Sequence, residues 1–360
     1  MSTISRQRGA AGLRIILWGF LFLVGIALWI FSVQGPEQPK AWRALLSNFL
    51  FFSSLAGGLV VWPAVVRSCN GRWHEPVERL AASGIVFAIP SIAALVLLWT
   101  GTPAWSPWYQ RTFHQGLWLN NNFVLGRDLA ALVIFWLTAL WYLLERRKGE
   151  ARYLGPILVL IYTLAFSLLG FDLVMALDPH WYSNLAGGYF FISGLYIAMA
   201  CWGLLAAWHP DSPADVRQDI GKLTVAFSMM TIYLMFAHLN LIWYENLPHE
   251  IRFLIPRMHN ESWMAVSYFL VGLPYFGPLV LLLTIKAKRD RWSLGIISLL
   301  LLVGMWVERW WLVAPTFEIT VRLGLSELSM AAACTGLLGL GMELFHRYLP
   351  EGYLRHETKA

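Results

Sequence analysis

The apolar positions of this chain fall into ten long runs, each near the 20 or so residues that a helix needs to cross a lipid bilayer. They lie at roughly 13–34, 42–66, 78–100, 119–145, 152–177, 184–207, 220–245, 260–286, 292–312 and 325–346. Short connectors separate them, most carrying Pro, Gly, Asn or Asp. The pattern predicts an all-α polytopic membrane protein, with residues 1–360 as a single integral membrane domain. The first run lacks a small-residue cleavage site and reads as a retained span rather than a signal peptide.

Composition agrees with that reading. The chain is 58% hydrophobic and only 13% charged, with a mean hydropathy of +0.56, which leaves no soluble domain of useful size. Its net charge of +6 points to topology and not to nucleic acid, because the basic residues crowd every second connector. Arg6, Arg8 and Arg14 share one side with Arg67, Arg72 and Arg79, and with Arg146, Arg147, Lys148 and Arg152. Arg217 and Lys222, then Lys286, Lys288, Arg289 and Arg291, then Arg347, Arg355 and Lys359 fall on the same side. The other side holds Lys40, Arg43, Arg111, Arg252, Arg257 and Arg322. This alternation predicts both termini in the cytoplasm.

The non-cytoplasmic connectors have a different character: "TPAWSPWYQRTFHQ", "DPHWYSN", "ENLPHEIRFLIPRMHN" and "VAPTFEITVR". An interfacial aromatic belt accounts for most of the 20 Trp residues, but not for the acids and histidines. The stretch "FDLVMALDPHWYSNLAGGYFF" is the densest case. Asp178 before Pro179 ends the fifth span, since Pro disfavours helix at the residue before it. Ser183 and Asn184 are candidate caps for the sixth. Capping leaves Asp172 unexplained.

An ionisable side chain at mid-bilayer costs about 2.5–3.5 kcal/mol or more, so each one inside a span needs a reason. Asp172 lies about 9 Å below the outer end of span five, and His238 about 10 Å below that of span seven. His238 and Glu245 are nearly two turns apart and share a helix face. Arg127 and Asp128 enter with span four; Glu308 and Arg309 leave with span nine. These groups gather in the outer half, on at least four helices. One reading is structural: Arg127 neutralises Asp128 or a neighbouring acid, Glu308 pairs with Arg309 or Arg322, and Asp172 and His238 make interhelical hydrogen bonds. The sharper reading is a proton relay opening outward, with Asp172, His238, Glu245, Asp128, Asp178 and Glu308 as candidates.

Several redox motifs are missing. Only His238 lies well inside a span, there is no C-x-x-C-H, and Cys69, Cys201 and Cys334 are scattered. No bound haem, metal or iron–sulfur cluster is expected of this chain.

Taken together, "FDLVMALDPHWYSNLAGGYFFISG", "LIWYENLPHEIRFLIPR", "NNNFVLGRDLAALVIFW" and "WVERWWLVAPTF" resemble the ActF-type subunit (quinone-binding subunit 2) of alternative complex III. That type belongs to the NrfD-like, polysulfide-reductase-like membrane proteins. The resemblance implies two four-helix bundles plus peripheral helices, in the bacterial inner (cytoplasmic) membrane, with the site-bearing loops facing the periplasm. It implies a non-haem subunit of a respiratory quinol:electron-acceptor oxidoreductase, not catalytic alone, with a part in proton transfer toward the periplasm and in quinone binding. Either menaquinone or ubiquinone would fit. The implied partners are a related quinone-binding membrane subunit, a periplasmic iron–sulfur protein, cytochromes of the c type and a terminal oxidase, with haems and clusters in those partners.

Carried over by position, Asp172, Asp178, His180, Trp181 and Tyr182 match the first motif. Trp243, Tyr244, Glu245, Asn246, Pro248, Glu250 and Arg257 match the second. His180, Trp181, Tyr182, Tyr244, Asn246, His249 and Arg257 become quinone- or partner-contact candidates, and His249 stands where an acid is more usual. Two other readings stay open: a stand-alone proton-coupled transporter, with Pro90, Pro156, Pro274 and Pro278 as possible helix breaks, and a purely structural scaffold subunit.

Overall fold

The computed structural model describes residues 2–149, 151, 153–248 and 250–349, with side chains from residue 12 onward. Every regular element among them is helical. Ten helices are long and apolar enough to cross a membrane: α1 Gly12–Gln34, α2 Gln38–Ser68, α3 Glu75–Thr100, α4 Asn121–Lys148, α5 Leu154–Leu177, α6 Ala186–Trp208, α7 Ala214–Glu245, α8 Glu261–Leu281, α9 Arg291–Thr316 and α10 Leu325–Tyr348. The chain is a multi-pass membrane protein. Helices α2 to α5 pack as one group and α6 to α9 as a second, joined through α2, α5 and α6, while α1 pairs mainly with α10 at the edge. One end of the bundle carries the basic connectors and is called here the basic face; the other is the aromatic face.

Burial separates helices that hydropathy makes look alike. α2 is 94% buried over its most apolar window and α1 only 11%, yet both are strongly apolar. The joint between the two groups is a close crossing of α2 and α6. A Cβ on Gly58 would sit 2.6 Å from the Ala198 Cβ and 3.0 Å from the Gly194 carbonyl oxygen. Polar groups in this core find partners across helices: the Trp62 indole N–H donates to the Leu195 carbonyl, and Asn48 links Trp306 of α9 to the backbone of α10.

The expected aromatic belt is smaller than the sequence suggests. Half of the 20 tryptophans are buried. Several of their indole N–H groups tie helices together, as in Trp29 to Ala41, Trp136 to Ser91 and Trp202 to Val77. Trp118, Trp141, Trp208, Trp243 and Trp292 remain as exposed, belt-like residues.

Several boundaries differ from expectation for local reasons. The α-helical part of α5 stops at Leu173 and a 3₁₀ turn carries the chain to Leu177, so the helix ends before Asp178 itself turns extended ahead of Pro179. Neither Ser183 nor Asn184 caps α6: its N-cap is Leu185, without a side-chain cap, and the Ser183 hydroxyl accepts the Leu185 N–H one step earlier. Span eight ends at Leu281, and Ile285–Arg289 forms a separate short helix. Within α8, residues Val271–Phe276 form a π-helical turn around Pro274. Proline lacks the N–H that an α-turn needs, and the widened turn absorbs the defect. The Tyr196 hydroxyl donates to the Pro274 carbonyl at 2.5 Å.

Gly58→Val is expected to lower the thermal unfolding temperature in detergent, at a cost of about 1–3 kcal/mol for overpacking the α2–α6 crossing. Gly188→Val, where a Cβ meets nothing within 4 Å, leaves it unchanged.

Candidate functional site

Three knots of buried ionisable groups stand out, two toward the aromatic face and one at the basic face. The first joins α4 to α5. Asn120 caps α4, its side-chain oxygen accepting the N–H groups of Asn122 and Phe123. Arg127 and Asp128 then follow about 9–10 Å below the start of the helix. The Arg127 guanidinium grips Asp172 with two hydrogen bonds, Nε to Oδ2 at 2.7 Å and Nη2 to Oδ1 at 2.5 Å. It also donates to the Trp118 carbonyl and lies 3.7 Å over the Trp118 ring. Asp172, the acid that capping left unexplained, is thus held in a forked ion pair. Asp128 is fully buried against Asp172 and receives no hydrogen bond from any donor among the described residues. Two carboxyls can hydrogen-bond to each other only when they share a proton.

The second knot joins α6, α8 and α9. Glu308 and Arg309 are both wholly buried, and Arg309 Nη1 donates to Glu308 Oε2 at 2.8 Å. Neighbouring residues on a helix point apart, yet this pair closes because both side chains turn toward α6. Arg309 Nη2 donates to Ser193 Oγ at 2.8 Å, and its guanidinium lies 4.4 Å over the Phe190 ring. The Tyr189 hydroxyl donates to Glu308 Oε1 and lies 2.8 Å from the Tyr275 hydroxyl. Tyr275 reaches this point from the π-helical turn of α8.

His238, buried on α7, lies beside this knot. Its Nδ1 is 3.0 Å from Ser183 Oγ, and its Nε2 is buried without a partner among the described residues. His238 and Tyr189 line the same cavity of about 20 Å³, together with Trp181, Phe190, Met235 and Phe253. That is room for roughly one water molecule. A lid closes the site on the aromatic face. Trp181 stacks on Phe253 at 4.3 Å, and the Arg257 guanidinium covers that ring at 3.6 Å. Arg257 donates to the carbonyls of Phe253 and Leu312, which fastens the 247–258 connector to α9. Burial brings its guanidinium down to about 9, with Asp178 opposing the shift.

The remaining candidates lie further out. Asp178 accepts the His180 N–H and pairs with Arg252 at 3.1 Å. His180 and Tyr182 are exposed, whereas Trp181 is buried. Glu245 closes α7 and is exposed, so the face it shares with His238 leaves the protein body within two turns. Asn246 takes the left-handed conformation (φ 49°) that ends the helix. Trp243, Tyr244, Asn246, Ile251, Leu254, Ile255 and His259 line a surface groove of about 400 Å³. His249 lies outside the described residues. Among the described residues no three His, Cys, Asp or Glu side chains converge as a metal site would.

The third knot escaped sequence reasoning. At the basic face Glu78 accepts from Arg67 Nη2 at 2.7 Å and from Arg146 Nε at 3.1 Å. His74 packs fully buried beside it, with Nε2 3.9 Å from Glu78 Oε2. The available signal was a pair of acids, Glu75 and Glu78, at the opening of a span whose connector also carries Arg72 and Arg79. Tyr189 and Tyr275 were missed as well; each sits in a Gly- or Pro-flanked aromatic run that reads as ordinary core.

Fold and knots together define a multi-pass integral membrane protein, with ten membrane-length helices among the described residues and ion pairs built into its interior. No family model matches the chain. It is similar to a selenate reductase subunit from Mesobacillus selenatarsenatis, at 21% identity over 351 residues, covering 83% of this chain and 80% of that protein.

Replacing Arg127 by Gln strands Asp172 and Asp128 together without a counter-charge. An expected loss of about 3 kcal/mol or more follows, partly recovered in the Arg127→Gln/Asp172→Asn double variant, as measured by unfolding in detergent. At the basic face, burial pushes His74 from its ordinary 6.5 down to about 4, with Arg67 and Arg146 reinforcing and Glu78 opposing. Between those values the unfolded chain takes up a proton that folded His74 refuses. Its contribution to stability is therefore complete above pH 6.5 and declines as pH falls toward 4. His74→Gln should flatten the stability–pH curve across that window.

Proposed function

We propose that this chain is a membrane subunit of a respiratory redox complex that moves protons through its aromatic-face half. The observation that carries the reading is the unbroken polar contact from Arg309 through Glu308 and Tyr189 to Tyr275, beside a water-sized cavity also lined by His238, whose Nε2 has no partner among the described residues. A carboxyl and two phenols in hydrogen-bond reach, with an imidazole on the same cavity, are the parts of a proton relay. A structural role needs only the Glu308–Arg309 pair; it does not need two tyrosines and a histidine around a space for water. In this reading a proton leaving Glu308 passes by Tyr189 and the cavity water to His238, then by Ser183 to the surface beneath Asp178. The Asp128–Asp172 pair, clamped by Arg127, is a second place where a proton can be held.

The relative described above is a subunit of a selenate reductase, which favours a complex over a stand-alone transporter. The four quoted motifs favour the finer assignment of an ActF-type subunit of alternative complex III. On that assignment the basic face is cytoplasmic, the relay opens to the periplasm of a bacterial inner membrane, and quinol oxidation supplies the protons. The partners are then a related quinone-binding membrane subunit, an iron–sulfur protein and cytochromes of the c type. Quinone binding by this chain is a second role, favoured by the groove beside Tyr244 and Asn246: its volume and aromatic lining suit a quinone ring, and Asn246 and His259 offer polar contacts to its oxygens.

The test uses the complex that co-purifies with the chain. Glu308→Gln and His238→Phe are expected to lower turnover-linked proton release by about a hundredfold, with the chain still present in the complex at wild-type amounts. Unchanged proton release in both variants would reduce the chain to a scaffold. Co-purification with no redox subunit would remove the respiratory assignment.

A further inference from the structure

We propose that Tyr196 of α6 is a positioning residue for Tyr275: by holding the backbone of α8 from the side, it keeps the Tyr275 phenol against Tyr189 and, through it, against Glu308. The positioning stands on geometry alone; its consequence for proton movement rests on the relay described above.

The need for a holder is written into α8. Pro274 and Pro278 are four residues apart in "VGLPYFGP". Pro274 brings no N–H, so the carbonyl four residues before it loses its α-helical donor. A π-helical turn, such as that at Val271–Phe276, takes its donors one residue further on. Pro278 brings no N–H either, so the Pro274 carbonyl loses its α-helical donor in turn. Two such defects on successive turns soften the helix where it carries Tyr275.

The missing donor comes from another helix. Tyr196 is fully buried, and its hydroxyl donates to the Pro274 carbonyl at 2.5 Å. Helix α9 adds a second hold. A Cβ on Gly304 would lie 3.2–3.3 Å from three ring carbons of Pro274, so the proline ring seats on the glycine.

Spacing ties this support to the relay. Tyr196 follows Tyr189 by seven residues on α6, and Gly304 precedes Glu308 by four on α9, so each lies on the helix face of the relay group it serves. Pro274 adjoins Tyr275 in the chain. Holders and relay groups thus come from the same three helices. The Tyr189 hydroxyl donates to Glu308 and stands 2.8 Å from that of Tyr275. Hydrogen bonds between hydroxyls span about 2.5–3.0 Å, so a shift of roughly 0.5 Å in the turn parts the two phenols. A tyrosine that only answered a stray carbonyl would need no such register.

The experiment uses the complex that co-purifies with the chain. Fluorotyrosine is placed at position 275 by amber suppression, and its fluorine resonance reports the surroundings of that phenol. Tyr196→Phe keeps the ring and removes one oxygen, and the resonance is expected to move or split. Tyr142→Phe, which removes a buried hydroxyl on α4 without a partner among the described residues, leaves it in place. Turnover-linked proton release falls about tenfold in Tyr196→Phe. Tyr196→Phe adds no further loss when Tyr275→Phe is already present. Should Tyr196→Phe fail to fold, Gly304→Ala presses a methyl group on the Pro274 ring and is expected to move the same resonance. An unmoved resonance in the variant that folds overturns the positioning, whatever proton release does. Additive losses in the double variant overturn it as well, by showing that Tyr196 acts elsewhere. A moved resonance with unchanged proton release upholds the positioning and removes Tyr275 from the relay.

Discussion

A charge moved from water into a packed helix bundle persists only beside an opposite charge or a set of donors, and this requirement organises the molecule. Each of the three knots joins helices that are otherwise related mainly by apolar contact. Arg127 and Asp172 link α4 to α5. Glu78 takes Arg67 from α2 and Arg146 from α4. Glu308 and Arg309 face α6 through Tyr189 and Ser193, and α8 through Tyr275. Apolar packing tolerates sliding and rotation, whereas a forked ion pair does not. The pairs therefore fix the relative rotation of the helices that carry them, whatever else they do.

The same constraint shapes the half toward the aromatic face. His238, Tyr189 and Glu308 are sealed by a layered lid of Trp181, Phe253 and Arg257. Arg257 matched a motif because of its place in "LIPR", and its geometry is that of a fastener: its hydrogen bonds run to the Phe253 and Leu312 carbonyls and the Thr316 hydroxyl, all within the protein. The π-helical turn supplies the other half of the arrangement. Without the extra residue it accommodates, Tyr275 would point elsewhere on α8 and the two phenols would not meet.

The ten spans were legible because hydropathy and the alternation of basic connectors report on the same geometry independently. Placement within the bundle was not. α1 and α2 differ little in apolarity, and only the tertiary structure says which of them is enclosed. The clustering of Arg127, Asp128, Asp172, His238 and Glu308 in one half was also readable, since depth follows from residue count. Their partners were not. Arg127 passes over its neighbour Asp128 to reach Asp172, and Glu308 closes with the residue beside it. The basic-face knot was hidden because arginines at helix ends are expected there for topology alone. Tyr189 and Tyr275 were hidden because a phenol among phenylalanines looks apolar until its hydroxyl finds a carboxylate.

Helix α2 is enclosed by α3, α5, α6, α9 and α10, and hardly any of its circumference meets lipid. An ordinary amphipathic span shows a ripple of mutational tolerance with the period of the helix, permissive on one side and strict on the other. α2 has no permissive side. Natural variants should thin out evenly along its length, and an evolutionary record of this chain should show a band of low variability at 41–66 where hydropathy alone would forecast an ordinary, freely drifting span.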